Sequence, residues 1–308
     1  MAGGYFGSRR ALLSAGTSGA GPAANQRAIF GYGYGDAPPP LSMTNLVSNI
    51  GVVSTDTTGV GTARQGLAAA GYGTDKAIFG YGASSITNLV SNTGVVATDT
   101  TGVGTARSFL AAAGYGTDKA IFGYGYPSYS ITNLVSNTGV VATDTTGVGT
   151  ARGFLAAAGY GTDKAIFGYG YFSGIGSPVS TTNLVSNTGV VATDTTGVGT
   201  ARTRLAASGY GTDKAIFGYG DDLAGNFYSL TNLVSNTGVV ATDTTGVGTA
   251  RYSLAAAGYG TDKAIFGYGN SGALSSITNL VSNTGVVSTD TTGVGTARYS
   301  LGAASYGT

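Results

Sequence analysis

The chain has 308 residues, of which 55 are glycine, and its 15 basic and 14 acidic side chains give a net charge of +1. It contains no histidine, cysteine, tryptophan or glutamate, which excludes the common metal sites, nucleophiles that depend on histidine or cysteine, and disulfides. The charge gives no reason to expect nucleic-acid binding. A content of 42% hydrophobic and 9% charged residues predicts a buried core. We therefore expect a non-enzymatic protein without a cofactor or metal.

The first ten residues lack the apolar core of a secretory signal, and no run approaches the roughly 18 apolar residues of a membrane span. We expect no membrane insertion. A cysteine-free chain is compatible with either redox compartment.

Three sequence blocks recur six times each along the chain. The block Lys-Ala-Ile-Phe-Gly-Tyr-Gly recurs every 43 to 50 residues. It begins at Arg27 (the variant copy), Lys76, Lys119, Lys164, Lys214 and Lys263. Thr-Asn-Leu-Val-Ser-Asn begins at Thr44, Thr87, Thr132, Thr182, Thr231 and Thr278. Gly-Val-Gly-Thr-Ala-Arg ends at the repeat arginines Arg64, Arg107, Arg152, Arg202, Arg251 and Arg298.

Each repeat predicts four short strands, here called A to D in chain order. In the copy near residue 76 they cover 67–71, 76–81, 86–91 and 95–100. A glycine-rich A–B turn and a C–D turn at Asn92-Thr93-Gly94 separate them. No segment has the length and period of a helix.

Four antiparallel strands in a repeat of this length are typical of a β-propeller blade, so we predict an all-β, six-bladed propeller of four-stranded blades over residues 26–308. A parallel β-helix would need a shorter repeat, and a single sandwich would not need near-identical copies. The C-terminal Ala-Ser-Tyr-Gly-Thr matches the end of strand A. It is expected to supply the inner strand that the first blade lacks, which closes the ring and removes exposed sheet edges.

Residues 1–25 remain outside this repeat. We interpret them as an N-terminal arm that docks on another protein, and a disordered tail is the alternative. Residues 10–15 also resemble strand A and compete with 298–308 for the same position, but the C-terminal copy fits the spacing better.

The order of these elements resembles the kelch repeat. The resemblance covers residues 26–308 and rests on Arg64, Leu67-Ala-Ala-Ala, Ala77-Ile-Phe-Gly-Tyr-Gly and Asn88-Leu-Val-Ser. Tyr81 splits the paired glycines of that family, and its strand-D tryptophan is absent. The resemblance implies the fold and leaves the function open, because kelch propellers have many functions.

The repeated Ala-Arg-x-x-Leu-Ala-Ala and Gly4-Tyr5-Phe6-Gly7 are similar to motifs in kelch-like fibre and tail proteins of tailed, especially marine, bacteriophages. This resemblance implies a virion protein that contacts other virion proteins through its N-terminal arm and binds a host-surface receptor or glycan. The alternatives are a purely structural virion protein, a secreted or cell-surface lectin-like propeller, and a cytosolic adaptor. Homo-oligomerisation stays open.

The copies differ at two places. One is the B–C loop, at 34–42, 83–85, 126–130, 171–181, 221–230 and 270–276. The other is the residue pair after each repeat arginine, at 65–66, 108–109, 153–154, 203–204, 252–253 and 299–300. In an up-and-down blade both places lie on one face, here called the variable face. The A–B and C–D turns, which hardly differ, define the opposite, uniform face.

Variation on one side of a rigid scaffold is typical of a binding surface, although tolerated drift in loops would produce the same pattern. Tyrosine with small polar residues is the composition of many binding sites and suits stacking on sugar rings. We predict that the ligand-binding residues are Tyr34, Phe109, Tyr126, Tyr129, Phe154, Tyr171, Phe172, Arg204, Phe227, Tyr228, Tyr252 and Tyr299.

Other polar positions favour structural roles. Six repeat aspartates stand eight residues before the repeat arginines, and their repetition predicts ion pairs or turn caps: Asp56, Asp99, Asp144, Asp194, Asp243 and Asp290. The repeat tyrosines Tyr81, Tyr124, Tyr169, Tyr219 and Tyr268 are expected to pack between blades. Asp36 and Asp221-Asp222 are unique carboxylates, but one loop offers too few ligands for calcium.

Overall fold

A computed structural model describes residues 26–36 and 39–307. Over these residues the protein is all-β, as the sequence predicts, with twenty strands and no helix. The strands are β1 (Arg27–Gly33), β2 (Leu41–Val47), β3 (Ala68–Tyr72), β4 (Lys76–Gly80), β5 (Thr87–Val90), β6 (Ala111–Tyr115), β7 (Lys119–Gly125), β8 (Tyr129–Val135), β9 (Ala156–Tyr160), β10 (Lys164–Gly168), β11 (Tyr171–Phe172), β12 (Ser177–Pro178), β13 (Thr182–Val185), β14 (Ala206–Tyr210), β15 (Lys214–Gly218), β16 (Thr231–Val234), β17 (Ala255–Tyr259), β18 (Lys263–Gly267), β19 (Thr278–Val281) and β20 (Gly302–Tyr306).

Small antiparallel sheets repeat along the chain. Six have three strands, in the orders β3-β4-β5, β6-β7-β8, β9-β10-β13, β14-β15-β16, β17-β18-β19 and β20-β1-β2. In each, the strand that begins with Lys or Arg lies in the centre, between the alanine-rich strand and the Thr-Asn-Leu-Val strand. The pair β11–β12 forms a separate hairpin inside the longest B–C loop. This repeated architecture fits a β-propeller.

The prediction of four-stranded sheets is wrong, because segment D forms only isolated bridges. In the copy near residue 76, Val96 bridges Val90 and Thr100 bridges Thr87. Between these bridges three residues of segment D face two residues of β5, so the ladder contains a one-residue bulge. The side-chain amide of Asn88 donates to the carbonyl oxygen of Ala97 there, at 3.0 Å. Segment D therefore follows the sheet without continuing its regular ladder.

The core lies between neighbouring sheets. Ile78 of β4 and Phe122 of β7 belong to one buried cluster that joins two successive sheets. Gly80 is needed for this approach, since a Cβ there would lie 2.7 Å from the Phe122 ring. Tyr81 is also fully buried, and its ring meets the Phe122 ring edge-on at 5.1 Å. The repeat tyrosines thus lie between sheets, where the sequence places them.

One sheet combines both ends of the described chain. Strand β20 pairs antiparallel with β1, with Arg27 opposite Tyr306 and Gly31 opposite Gly302. This sheet packs on one side against the sheet of β17, β18 and β19 and on the other against the sheet of β3, β4 and β5. The predicted arm and the alternative strand at 10–15 lie outside the described residues.

Candidate functional site: the variable face

The repeat arginines hold the scaffold under this face. Arg152 is fully buried and uses its whole guanidinium group. Its Nε donates to the carbonyl oxygen of Tyr169 at 2.8 Å, its Nη2 to Oδ1 of Asn183 at 2.6 Å, and its Nη1 to the carbonyl oxygen of Thr150 at 3.1 Å. It also covers the ring of Tyr124, in the preceding sheet, at 4.7 Å. One side chain therefore joins two sheets and the connection between them.

Each repeat aspartate completes this network. Asp194 accepts hydrogen bonds from Thr150 Oγ1 at 2.6 Å and from Asn183 Nδ2 at 2.9 Å, and lies 3.7 Å from Arg152 Nη1. Partial burial alone would raise the pKa of Asp194. The hydrogen bonds from Thr150 and Asn183 and the charge of Arg152 outweigh that effect and hold the pKa below its ordinary value. The six repeat aspartates have equivalent partners. Their role is therefore structural, as members of ion pairs within the scaffold.

This network predicts a loss of stability in acid. A carboxyl group whose folded pKa is lowered contributes stability that is complete above its unfolded pKa, about 3.9, and is lost as the pH falls through the folded pKa. In urea denaturation we expect a constant midpoint between about pH 7 and 5 and a steady fall below about pH 4.

The variant Asp194→Asn should lose about 1 kcal/mol at neutral pH, because its hydrogen bonds no longer involve a charged acceptor. The difference in the free energy of unfolding between the variant and the unchanged protein should disappear as the pH approaches about 2. At that pH the Asp194 carboxyl is protonated in both the folded and the unfolded state. A difference of the same size at both pH values would contradict the assignment.

The uniform face carries a second set of ion pairs. The lysine of each A–B turn contacts the preceding aspartate, as Lys164 Nζ does Asp163 Oδ1 at 2.8 Å. Five such pairs occur, at 2.6 to 2.9 Å. They surround the mouth of a cavity of about 280 Å³ that is also lined by threonines and tyrosines. Each lysine there has an adjacent counter-charge, so this mouth offers no concentrated positive charge.

The two variable segments of a repeat meet in the structure. Five antiparallel bridges join a B–C loop to the residue after a repeat arginine: Tyr34 with Tyr299, Ser108 with Tyr126, Gly153 with Tyr171, Thr203 with Asp221, and Tyr252 with Asn270. In these five cases the B–C loop lies beside a residue pair from which 17 or more residues separate it. Backbone hydrogen bonds hold the two segments together, such as that from Tyr126 N–H to the Ser108 carbonyl at 2.7 Å.

Seven of the proposed binding aromatics form ring contacts. Phe109 and Phe154 stack with their ring centres 4.2 Å apart, and Tyr126 meets Phe154 at 5.8 Å. Elsewhere Phe227 packs on Tyr252 at 4.9 Å, and Tyr34 on Tyr299 at 5.8 Å. The structure thus gathers these residues into three groups, in which most rings are half-buried and Tyr126 is 47% exposed.

The other proposed aromatics lie in the loops outside these groups. Tyr129 begins β8, Tyr171 and Phe172 form β11, and Tyr228 donates its hydroxyl to Asp222 at 3.3 Å. All four are half-buried. They are not brought into ring contact with the three groups within the described residues.

Arg204 is less available for contact with a ligand than the sequence indicates. Its Nε donates to Oδ1 of Asp221 at 2.8 Å, and its Nη2 pairs with the other carboxylate oxygen. The guanidinium also covers the Tyr252 ring at 4.0 Å. Asp221 is buried, with 1% exposure, so this carboxylate is a counter-ion that the list of binding residues did not include. The sequence contains a sign of this pair. Arg204 is the one arginine at its position among the six copies, and Asp221, in the same repeat, is the one aspartate at its position.

Two of the unique carboxylates, Asp221 and Asp222, are engaged by neighbouring groups of the chain. Asp221 faces Arg204, and Asp222 accepts hydrogen bonds from the backbone of Ala224 and Asn226. Over residues 26–36 and 39–307 no group of three or more Asp, Glu, His or Cys side chains is arranged to hold a metal ion.

The second residue of each variable pair belongs to a cycle of backbone hydrogen bonds. Each N–H donates to the carbonyl of its equivalent in another repeat, at 2.6 to 2.8 Å. The order of donors is Gly66, Phe109, Phe154, Arg204, Ser253 and Ser300, each bonded to the residue before it, and Gly66 is bonded to Ser300. All six have φ between 51° and 64°. The sequence singled out Phe109, Phe154 and Arg204 but missed Ser253 and Ser300.

Five of these residues, all except Gly66, line a cavity of about 120 Å³, here called the central mouth. Its deeper wall consists of leucines and alanines, including Leu155, Leu205 and Ala256. Aromatic, cationic and hydroxyl side chains therefore converge at an apolar opening, which is the composition of a small-molecule site.

A scan against protein-family models found no match for this chain, and a search of curated proteins found no relative. Residues 26–36 and 39–307 form no helix, and so no helical membrane span is found among them. The resemblance to kelch repeats and to phage fibre proteins therefore stays a prediction from sequence motifs.

Proposed function

We propose that this protein is a non-enzymatic binding protein whose variable face holds a ligand and whose repeats form a six-bladed, kelch-like β-propeller. The observation that carries the proposal is the distribution of differences among the copies. They concentrate in the B–C loops and in the residue pairs, and five backbone bridges join these two places. The buried Arg–Asn–Asp network below them is repeated six times with little change.

Two features support ring closure. The cycle from Gly66 to Ser300 links one residue from each repeat. A second set links each A–B turn to the next, as in Gly116 N–H to the Asp163 carbonyl at 2.7 Å. This second set includes Gly260 N–H to Gln26 and Gly307 N–H to Asp75. A closed ring explains both sets, because six equivalent neighbours leave no unpaired end.

The setting that we propose is a tailed phage particle, with residues 1–25 or the uniform face attached to other virion proteins and the variable face turned toward a host-surface receptor or glycan. The support is the motif resemblance together with this one-sided surface. Many copies on one particle would add weak individual contacts into firm attachment. Immunogold labelling of intact particles with an antibody against the B–C loops tests the setting, and an absence of label on particles would contradict it.

The binding proposal is tested with fluorescently labelled protein and candidate host cells. In the test variant all longer B–C loops are shortened to Ala-Ser-Ser, the sequence that spans this connection at 83–85. A matched control carries Lys164→Gln and Lys214→Gln on the uniform face. We expect the cell-bound fluorescence of the shortened variant to be at least tenfold lower than that of the unchanged protein. The control should bind as much as the unchanged protein.

Both variants must show the thermal unfolding transition of the unchanged protein. Equal binding by the shortened variant would refute the variable face as the binding surface. Binding by none of the three proteins would leave a structural virion component as the better explanation.

A further inference from the structure

The central mouth has features that the loops around it lack. It is lined by Phe109, Phe154, Arg204, Ser253 and Ser300, one from each of five repeats, and Gly66 occupies the sixth position. The Gly66 position leaves room for the Phe109 ring, since a Cβ there would lie 3.0 Å from it. The aromatic rings are thus stacked on one side of the mouth, and the serines leave the other side open.

The backbone at this border is strained. Five of the six residues have side chains although φ lies in the left-handed region, where a non-glycine residue costs roughly 1 kcal/mol. Two other left-handed positions keep one residue type: the repeat tyrosines, whose rings pack between sheets, and the threonines of the A–B turns. Ala83 and Leu223 are single left-handed residues in B–C loops. The border positions instead carry Phe, Phe, Arg, Ser and Ser. Strained residues of this kind cluster at functional sites, so these five positions point to a function at the mouth.

The polar groups at the mouth are few. Ser253 and Ser300 line it and are mostly buried, with 8% and 7% exposure. The guanidinium of Arg204 binds Asp221 through Nε and Nη2, so Nη1 is the nitrogen that this ion pair does not use. A ligand would therefore find two hydroxyls and one N–H group beside the rings of Phe109 and Phe154.

The charge at the mouth is balanced. Arg204 is the one ionised side chain in its lining among the described residues, and the buried carboxylate of Asp221 neutralises it. The ligand that fits has a compact ring with one apolar face and hydroxyl groups at its edge, and it carries no charge. A neutral pyranose has these properties, because its C–H face stacks on aromatic rings while its hydroxyls both donate and accept hydrogen bonds.

We propose that the central mouth binds a single neutral pyranose residue, as the terminal sugar of a glycan. This inference rests on the proposed binding function of the variable face and specifies where the ligand is held and its chemical class. The stacked phenylalanines contact the sugar face, and Ser253, Ser300 and Arg204 hydrogen-bond its hydroxyls. The B–C loops contact the rest of the glycan.

The test uses the full chain and the methyl glycosides of glucose, galactose and mannose, with sodium glucuronate as the acidic comparison. Binding is followed by saturation-transfer NMR and titration up to about 50 mM, because a ligand of this size is expected to bind with a Kd of about 1 mM. We expect at least one neutral glycoside to saturate and glucuronate to bind no more tightly.

Two variants use residues that the repeats already accept at this position. Phe154→Ser introduces the residue found at 253 and 300, and Ser253→Phe introduces the residue found at 109 and 154. The first removes the stacking surface and the second fills the open side. We expect each to weaken binding at least tenfold. The control Lys164→Gln, in an exposed ion pair on the uniform face, should leave the affinity for the glycoside unchanged.

The outcomes separate this inference from the broader proposal. Glycoside binding that is unaffected by both mouth variants would overturn it, as would glucuronate binding tenfold more tightly than any neutral sugar. No glycoside binding, with loop-dependent binding to cells intact, would overturn the inference and leave the variable face as the binding surface. If the protein binds neither glycosides nor cells, both this inference and the broader binding proposal are contradicted.

Discussion

Replacing Arg152 by methionine is expected to destabilise the protein by about 3–5 kcal/mol, which is a large part of the stability of an ordinary domain. Methionine fills much of the volume but donates no hydrogen bonds. The carbonyl oxygens of Tyr169 and Thr150 and Oδ1 of Asn183 would lose their donor in a site that excludes water, and each such loss costs about 1–3 kcal/mol. Urea denaturation, with the free energy of unfolding as the readout, measures the effect.

Two further variants make this test specific. Arg152→Lys keeps the charge but not the planar fork, so we expect it to recover little of the lost stability. Lys164→Met breaks an ion pair that is equally repeated but lies on the surface, where lysine is 44% exposed, and no measurable change is expected. A loss below about 1 kcal/mol for Arg152→Met would show that the network is not what joins the sheets.

Deleting residues 299–308 is expected to abolish cooperative unfolding at room temperature. The deletion removes β20, whose Leu301, Ala304 and Tyr306 are buried, and it leaves one edge of β1 unpaired. It also removes the strand that lies between β17 and β3 and contacts both of them. Burial of these side chains and the lost ladder together amount to about 5 kcal/mol or more, comparable with the whole stability of a domain. Far-ultraviolet circular dichroism during thermal unfolding, with light scattering to detect aggregation, follows the loss.

A circular permutant is the matched control for this deletion. It joins residue 308 to residue 26 through a short glycine-serine linker and opens the chain between Ser173 and Gly174, in the exposed turn between β11 and β12. Every strand of residues 26–36 and 39–307 is kept, so we expect a sharp transition near that of the unchanged protein. A truncated chain that unfolds as cooperatively as the permutant would argue against the pairing of the two chain ends as the closing contact.

Parts of the variable face could be anticipated from the repeats. Comparison of the copies placed the differences in the B–C loops and the pairs after the repeat arginines, and the structure bridges these segments directly. The partner of Arg204 does not follow from the repeats, because equivalent positions of the copies do not show which positions face one another. The pairing of Thr203 with Asp221 becomes apparent only when the two strands of a bridge lie side by side. Nor does the sequence distinguish Ser253 and Ser300, because a serine has no distinctive chemistry until its surroundings are known.

The sequence by itself determined the all-β class, the number of copies and the order of strands in each sheet, because these depend on local patterns that are repeated six times. The tertiary structure decided that segment D leaves the ladder, since one extra residue opposite β5 becomes a bulge only when the two segments pair. It also decided which side chains meet at the central mouth. Phe109, Phe154, Arg204, Ser253 and Ser300 are separated by 45 to 50 residues from one to the next, and only backbone hydrogen bonds between sheets bring them together.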